Sequence, residues 1–154
     1  MDDILKNKLS ELYDFYCIAL AEHGTVDPLY FIIKDKKITP IVIQKGIELT
    51  FKNYTVEALK IAYENKADAI ALITEQDTVI GKAESEDIKA LMEGKIRPSD
   101  HPLNHPYLVL TYINSKGKKS ALYGKIETDI KGTKFIREQD WLSESLCDIA
   151  PWKK

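Results

Sequence analysis

From Asp68 to Thr74 the chain reads Asp-Ala-Ile-Ala-Leu-Ile-Thr, an apolar run without polar alternation. A strand that is apolar on alternate positions covers one face of a sheet; one that is apolar throughout needs cover on both. The run is also far too short to cross a bilayer. It therefore predicts an interior strand of a sheet with helices packed against it, and the remaining segments supply partners for that strand.

Residues 3 to 23 read as an amphipathic helix, with Leu5, Leu9, Leu12, Tyr16 and Leu20 recurring at three- and four-residue steps. Asp2 and Asp3 suit the positive end of its dipole, and Gly24 suits a left-handed cap at the other end. The period then changes. Leu29 to Lys34 and Ile38 to Ile43 are β-rich runs separated by Asp35-Lys36-Lys37, a hairpin pattern. Pro40 has no N–H for a ladder, so its strand is expected at an edge or with a bulge.

A second helix is expected from Thr55 to about Lys66, burying Val56, Leu59 and Tyr63. A short third helix is expected between an N-cap at Ser85 and Gly94. Strands follow at Tyr107–Ile113, Ala121–Ile130 and Lys134–Glu138, joined through Ser115-Lys116-Gly117-Lys118 and Lys131-Gly132. The order α-β-β-α-β-(α)-β-β-β describes a single α+β domain over residues 1–154, with one mixed, mostly antiparallel sheet.

A length of 154 residues, 44% hydrophobic and 30% charged, suits one globular core rather than a disordered chain. A formal net charge of −2 gives no whole-molecule field toward nucleic acid or membrane. Asp2 and Asp3 follow Met1 where a signal peptide carries bases, so the cytoplasm is the expected compartment and no membrane contact is expected. Cys17 and Cys147 stand alone, with no CxxC spacing, and read as small hydrophobes or idle thiols.

The segment Gly94-Lys-Ile-Arg97-Pro98-Ser99-Asp100-His101-Pro102-Leu103-Asn104-His105-Pro106 is the most unusual in the chain. Its prolines exclude regular helix and make it stiff, and a stiff loop loses less entropy on meeting a partner. Arg97 and Asp100 are candidate polar contacts, Leu103 an apolar anchor, and His101 and His105 donors or acceptors. Asp100, His101 and His105, with His23 as a further imidazole, are also competent metal ligands for a hydrolase. Their spacing matches no zinc signature, and prolines forbid the helix on which a four-residue step would align two histidines. The bland reading is a rigid loop whose histidines bond to backbone. There is no nucleophile elbow, P-loop or dinucleotide fingerprint, and no cofactor is expected.

Residues 115 to 137 hold seven bases (Lys116, Lys118, Lys119, Lys125, Lys131, Lys134, Arg137) against Glu127 and Asp129, a local charge of +5. Residues 75 to 94 hold six acids and two bases. A basic hairpin with Tyr112, Tyr123 and Phe135 interleaved suits nucleic acid, although strand edges are also dressed in lysine simply to prevent pairing.

Three features resemble a group of small bacterial and phage-associated proteins with no assigned activity. These are a leading helix running into His23-Gly24 and Pro28-Leu29-Tyr30-Phe31, the β-β-α-β order to Thr74, and Arg97-Pro98-Ser99-Asp100-His101-Pro102 before the Tyr107 strand. They cover residues 9 to 127. Members carry charged residues where this chain has His105-Pro106, which weighs against both histidines as ligands. The resemblance implies the fold and no chemistry. The leading functional expectation is a non-enzymatic module that binds a protein partner through its sheet face or the proline-rich loop. The alternatives are a metal-dependent hydrolase on that loop and a nucleic-acid binder on the basic hairpin.

Overall fold

A computed structural model describes residues 1–42, 50–78, 93–94 and 104–142. The expected third helix falls outside them apart from Glu93 and Gly94, which form part of a turn.

The first helix, α1, spans Asp3–His23. Asp2 caps it, its Oδ1 accepting from Leu5 N at 2.8 Å. Gly24, at φ 76°, ends it by donating its N–H to the Leu20 carbonyl at 2.8 Å. The leucine stripe turns inward as its spacing requires: Leu5, Leu9 and Leu20 are buried, Tyr13 joins them, and Leu12 and Tyr16 pack partly buried beside them.

Strands β1 (Leu29–Lys34) and β2 (Lys37–Pro40) form a hairpin closed by Asp35 and Lys36, both at positive φ, as a two-residue turn of the primed type demands. β2 is the outer strand of its sheet. Lys34 pairs with Lys37 next to the turn, so alternate residues of β2 aim their backbone groups outward, and Pro40 is one of these. Its missing N–H therefore costs the sheet nothing, and Ile41 N–H resumes the ladder to the Tyr30 carbonyl at 2.8 Å.

The second helix, α2, spans Phe51–Glu64, capped by the Thr50 hydroxyl. It starts earlier than expected, and of the three residues expected inside only Leu59 packs against the core, partly buried. Ala58 and Ala62 face the sheet, whereas Val56 is 55% and Tyr63 65% exposed. Two alanines let the helix approach closely, and Tyr54 fixes its rotation. The Tyr54 hydroxyl accepts from Tyr30 N at 2.8 Å and donates to the Ile41 carbonyl at 2.8 Å. Val56 and Tyr63 are thereby turned to the outside.

Strands β3 (Ala69–Thr78), β4 (His105–Asn114), β5 (Lys119–Thr128) and β6 (Lys134–Leu142) complete a six-stranded sheet in the order β2-β1-β3-β4-β5-β6. Among the described residues every ladder is antiparallel. The α+β architecture is therefore as the sequence indicates, and β3 is an interior strand between β1 and β4. Its Ala69, Ala71 and Ile73 belong to the core under α1, and its Ile70 and Leu72 to the core under α2. That division is why the run lacks polar alternation. β6 extends past Glu138 to Leu142, and Trp141 packs against the α1 core with Lys6 Nζ 5.5 Å from its ring centroid.

Candidate binding surface

Of the loop residues singled out by sequence, Arg97, Asp100, His101 and Leu103 lie outside the described residues. His105 is the first residue of β4, opposite Thr78, and its Nε2 bonds the Ile126 carbonyl at 3.0 Å. That bond to backbone is what a structural histidine makes. His23 ends α1 and is exposed. Among the described residues no group of three or more histidine, cysteine or carboxylate side chains is placed to hold a metal ion.

The basic hairpin does not form one patch. Lys116 and Lys118 sit on the β4–β5 turn, where their N–H groups donate to Asn114 Oδ1 at 3.0 and 2.9 Å. Lys131 sits on the β5–β6 turn, where Asp129 Oδ1 plays the same part. These turns cap opposite ends of a 10-residue strand, roughly 30 Å apart at the usual rise per residue. The aromatics divide as well: Tyr112 is buried beneath α1, whereas Tyr123 projects from the opposite face and meets Tyr107 at 6.2 Å. Arg137 is paired with Glu127 at 3.5 Å.

A different surface is assembled on the outer side of α1. Phe15 is 62% and Ile18 59% exposed, three residues apart and so side by side on the helix. The Phe15 ring meets the Tyr16 ring edge-on at 5.3 Å, and Tyr16 in turn meets Phe31 of β1 at 6.2 Å. Tyr16 and Ala19 form the helix side of an open groove of about 270 Å³, whose lining is completed by Thr25, Val26, Asp27, Pro28 and Leu29. Its far wall is the link between α1 and β1, which is held from below by Val26 N–H donating to Glu75 Oε1 at 3.1 Å. Burial raises the Tyr16 hydroxyl above its ordinary pKa.

Asp27 is the one charged residue among the described residues that line this groove. No lysine or arginine occurs between Lys8 and Lys34, whereas Glu11, Asp14, Glu22 and Asp27 do. A second cleft, about 610 Å³, continues between α1 and the β1–β2 turn and does carry lysines. Two of these are engaged within the fold: Lys8 Nζ donates to the Lys36 carbonyl at 2.9 Å, and Lys36 Nζ lies 3.6 Å from Asp2. Cys17 is on another side of the helix, and burial, with Asp14 nearby, pushes its thiol up to about 11, which leaves it protonated and unreactive.

The leucine stripe dominates the sequence pattern of α1 and points away from this surface. The available signal was Phe15 and Ile18 themselves, two large apolar residues off the core stripe, within a stretch that has acids but no bases. No helix among the described residues is long and apolar enough to cross a membrane. Comparison with protein-family models, with curated proteins and with solved structures gives no match for this chain.

Proposed function

We propose that this chain is a non-enzymatic binding module whose docking surface for a protein partner is the α1 groove. The observation that carries this reading is the exposure of Phe15 and Ile18 together on α1, with Phe15 against Tyr16, a wall of the groove. Single exposed apolar residues are ordinary on any surface, but an adjacent aromatic and aliphatic pair at a concavity is what a protein interface core uses. The sheet face and loop favoured by sequence become secondary in this reading. A cytoplasmic location, and kinship with the bacterial and phage-associated proteins that the sequence resembles, belong to the same proposal.

The test is site-specific photocrosslinking in the cells that make the protein, with a photoreactive phenylalanine analogue replacing Ile18 or, separately, Tyr63 of α2. Both positions are more than half exposed, so they differ in surroundings rather than access. The proposal expects a discrete protein adduct from position 18 and none from position 63. Absence of an adduct at 18, or the same adducts from both, overturns it.

A further inference from the structure

We infer that the occupant of the α1 groove is a basic segment of another protein, one that presents a large apolar side chain flanked by lysines or arginines. The inference rests on the docking role just proposed and adds the chemistry of the partner. Its warrant is charge complementarity. Glu11, Asp14 and Glu22 stand four residues from the exposed Phe15 or Ile18 on α1, Asp27 lines the groove, and the chain has no lysine or arginine between Lys8 and Lys34 to offset them. Glu75 stands behind the groove wall, its carboxylate engaged by Val26 N–H.

Acidic side chains beside the apolar pair select among occupants because like charges brought together at an interface are penalised and opposite charges steer the encounter. Nucleic acid and an anionic lipid surface would both meet carboxylates. A second copy of this chain, docked face to face, would set the same acids against themselves. A basic segment alone gains from these acids while its apolar side chain fills the space between Tyr16, Ala19, Val26 and Leu29. In the neighbouring cleft Glu11 and Asp35 share the lining with Lys8, Lys36 and Lys37, so the acids there are offset, whereas Asp27 lines the groove with no base beside it in the lining. A bound segment is therefore expected to keep its bases at the Asp27 end of the groove.

The experiment titrates the full chain with a short amphipathic peptide of leucine and lysine, and with its counterpart carrying glutamate for lysine, following backbone amide resonances. The expected result is saturable shifts confined to α1 from Glu11 to Glu22 and to Thr25–Leu29, produced by the lysine peptide only. Affinity should fall steeply with added salt, and by about tenfold or more in Glu22→Lys/Asp27→Lys. Because both positions are at the surface, that variant should keep the wild-type thermal midpoint. Equal binding of the two peptides, shifts elsewhere, or no binding overturns the inference. So does self-association of the chain that Ile18→Glu abolishes, which would assign the surface to a second copy. If position 18 crosslinks a protein but the lysine peptide fails, the partner's basic character falls while the docking surface stands.

Discussion

The hydroxyl of Tyr13 donates to the main-chain carbonyl of Leu108 at 2.8 Å, in the buried layer between α1 and the sheet. The bond joins a helix residue to an interior strand 95 positions later. It is possible because Leu108 sits opposite Gly124 on β5. A Cβ at position 124 would come within 2.8 Å of the Tyr13 hydroxyl and 3.0 Å of the Glu138 carbonyl, and would run into Ile136. Gly124 is therefore the gap that lets a tyrosine hydroxyl reach the sheet, and the α1 surface is positioned by this contact.

Two substitutions test that contact against each other. Tyr13→Phe removes one buried hydrogen bond and should destabilise the protein by about 1–2 kcal/mol. Gly124→Ala forces the helix off the sheet and should cost about 1–3 kcal/mol by overpacking. In Tyr13→Phe/Gly124→Ala the missing hydroxyl relieves part of the clash, so denaturant unfolding should show less than the sum of the single losses.

Ile70 is interior to β3 and 1% exposed beneath α2. Ile70→Ala should cost about 2–5 kcal/mol through lost burial and the cavity left behind. Val56→Ala, at a position the sequence pattern marked as core, should change stability by about 0.5 kcal/mol or less, because the side chain faces outward. Equal losses from the two would contradict the orientation of α2.

That contrast shows what the sequence could and could not reveal. α1 and β3 were legible because each carries its whole signal locally: a leucine stripe with both caps, and a run with no polar break. The inward side of α2 was not. Ala58 and Ala62 contribute little hydrophobic contrast, and the rotation is set by Tyr54 bonding Tyr30 and Ile41, groups on other segments. The hairpin lysines read as one patch along the chain, but antiparallel pairing sends their turns to opposite ends. The α1 surface was visible only as residues that the core did not need.

Lys36 holds φ 64° in the β1–β2 turn, a conformation that costs a residue with a side chain about 1 kcal/mol. Lys36→Gly should therefore raise stability by about 0.5–1 kcal/mol, since the exposed Lys36–Asp2 pair that it removes is worth little. A higher denaturation midpoint with unchanged slope is the expected readout.

The protein should lose stability on the alkaline side. Burial raises Cys17 from 9.0 to about 11, and burial also raises Tyr13 well above its ordinary 10.0. The folded state holds these protons after the unfolded chain has released them, so the contribution is intact below pH 9 and declines as pH rises beyond it. Cys17→Ala and Tyr13→Phe should each flatten the decline. In a Cys147→Ser background, Cys17 should also alkylate far more slowly at neutral pH than an unperturbed thiol.

The central claim is that Phe15 and Ile18 anchor a protein partner, and affinity for that partner tests it most directly. Once the protein crosslinked at position 18 is purified, its Kd should be measured for the wild-type chain and for Phe15→Ala/Ile18→Ala by calorimetry, with thermal midpoints in parallel. The account predicts that the variant keeps its midpoint within a few degrees and loses affinity by about a hundredfold, as expected for two anchor residues of an interface core. An unchanged Kd for the folded variant would contradict it.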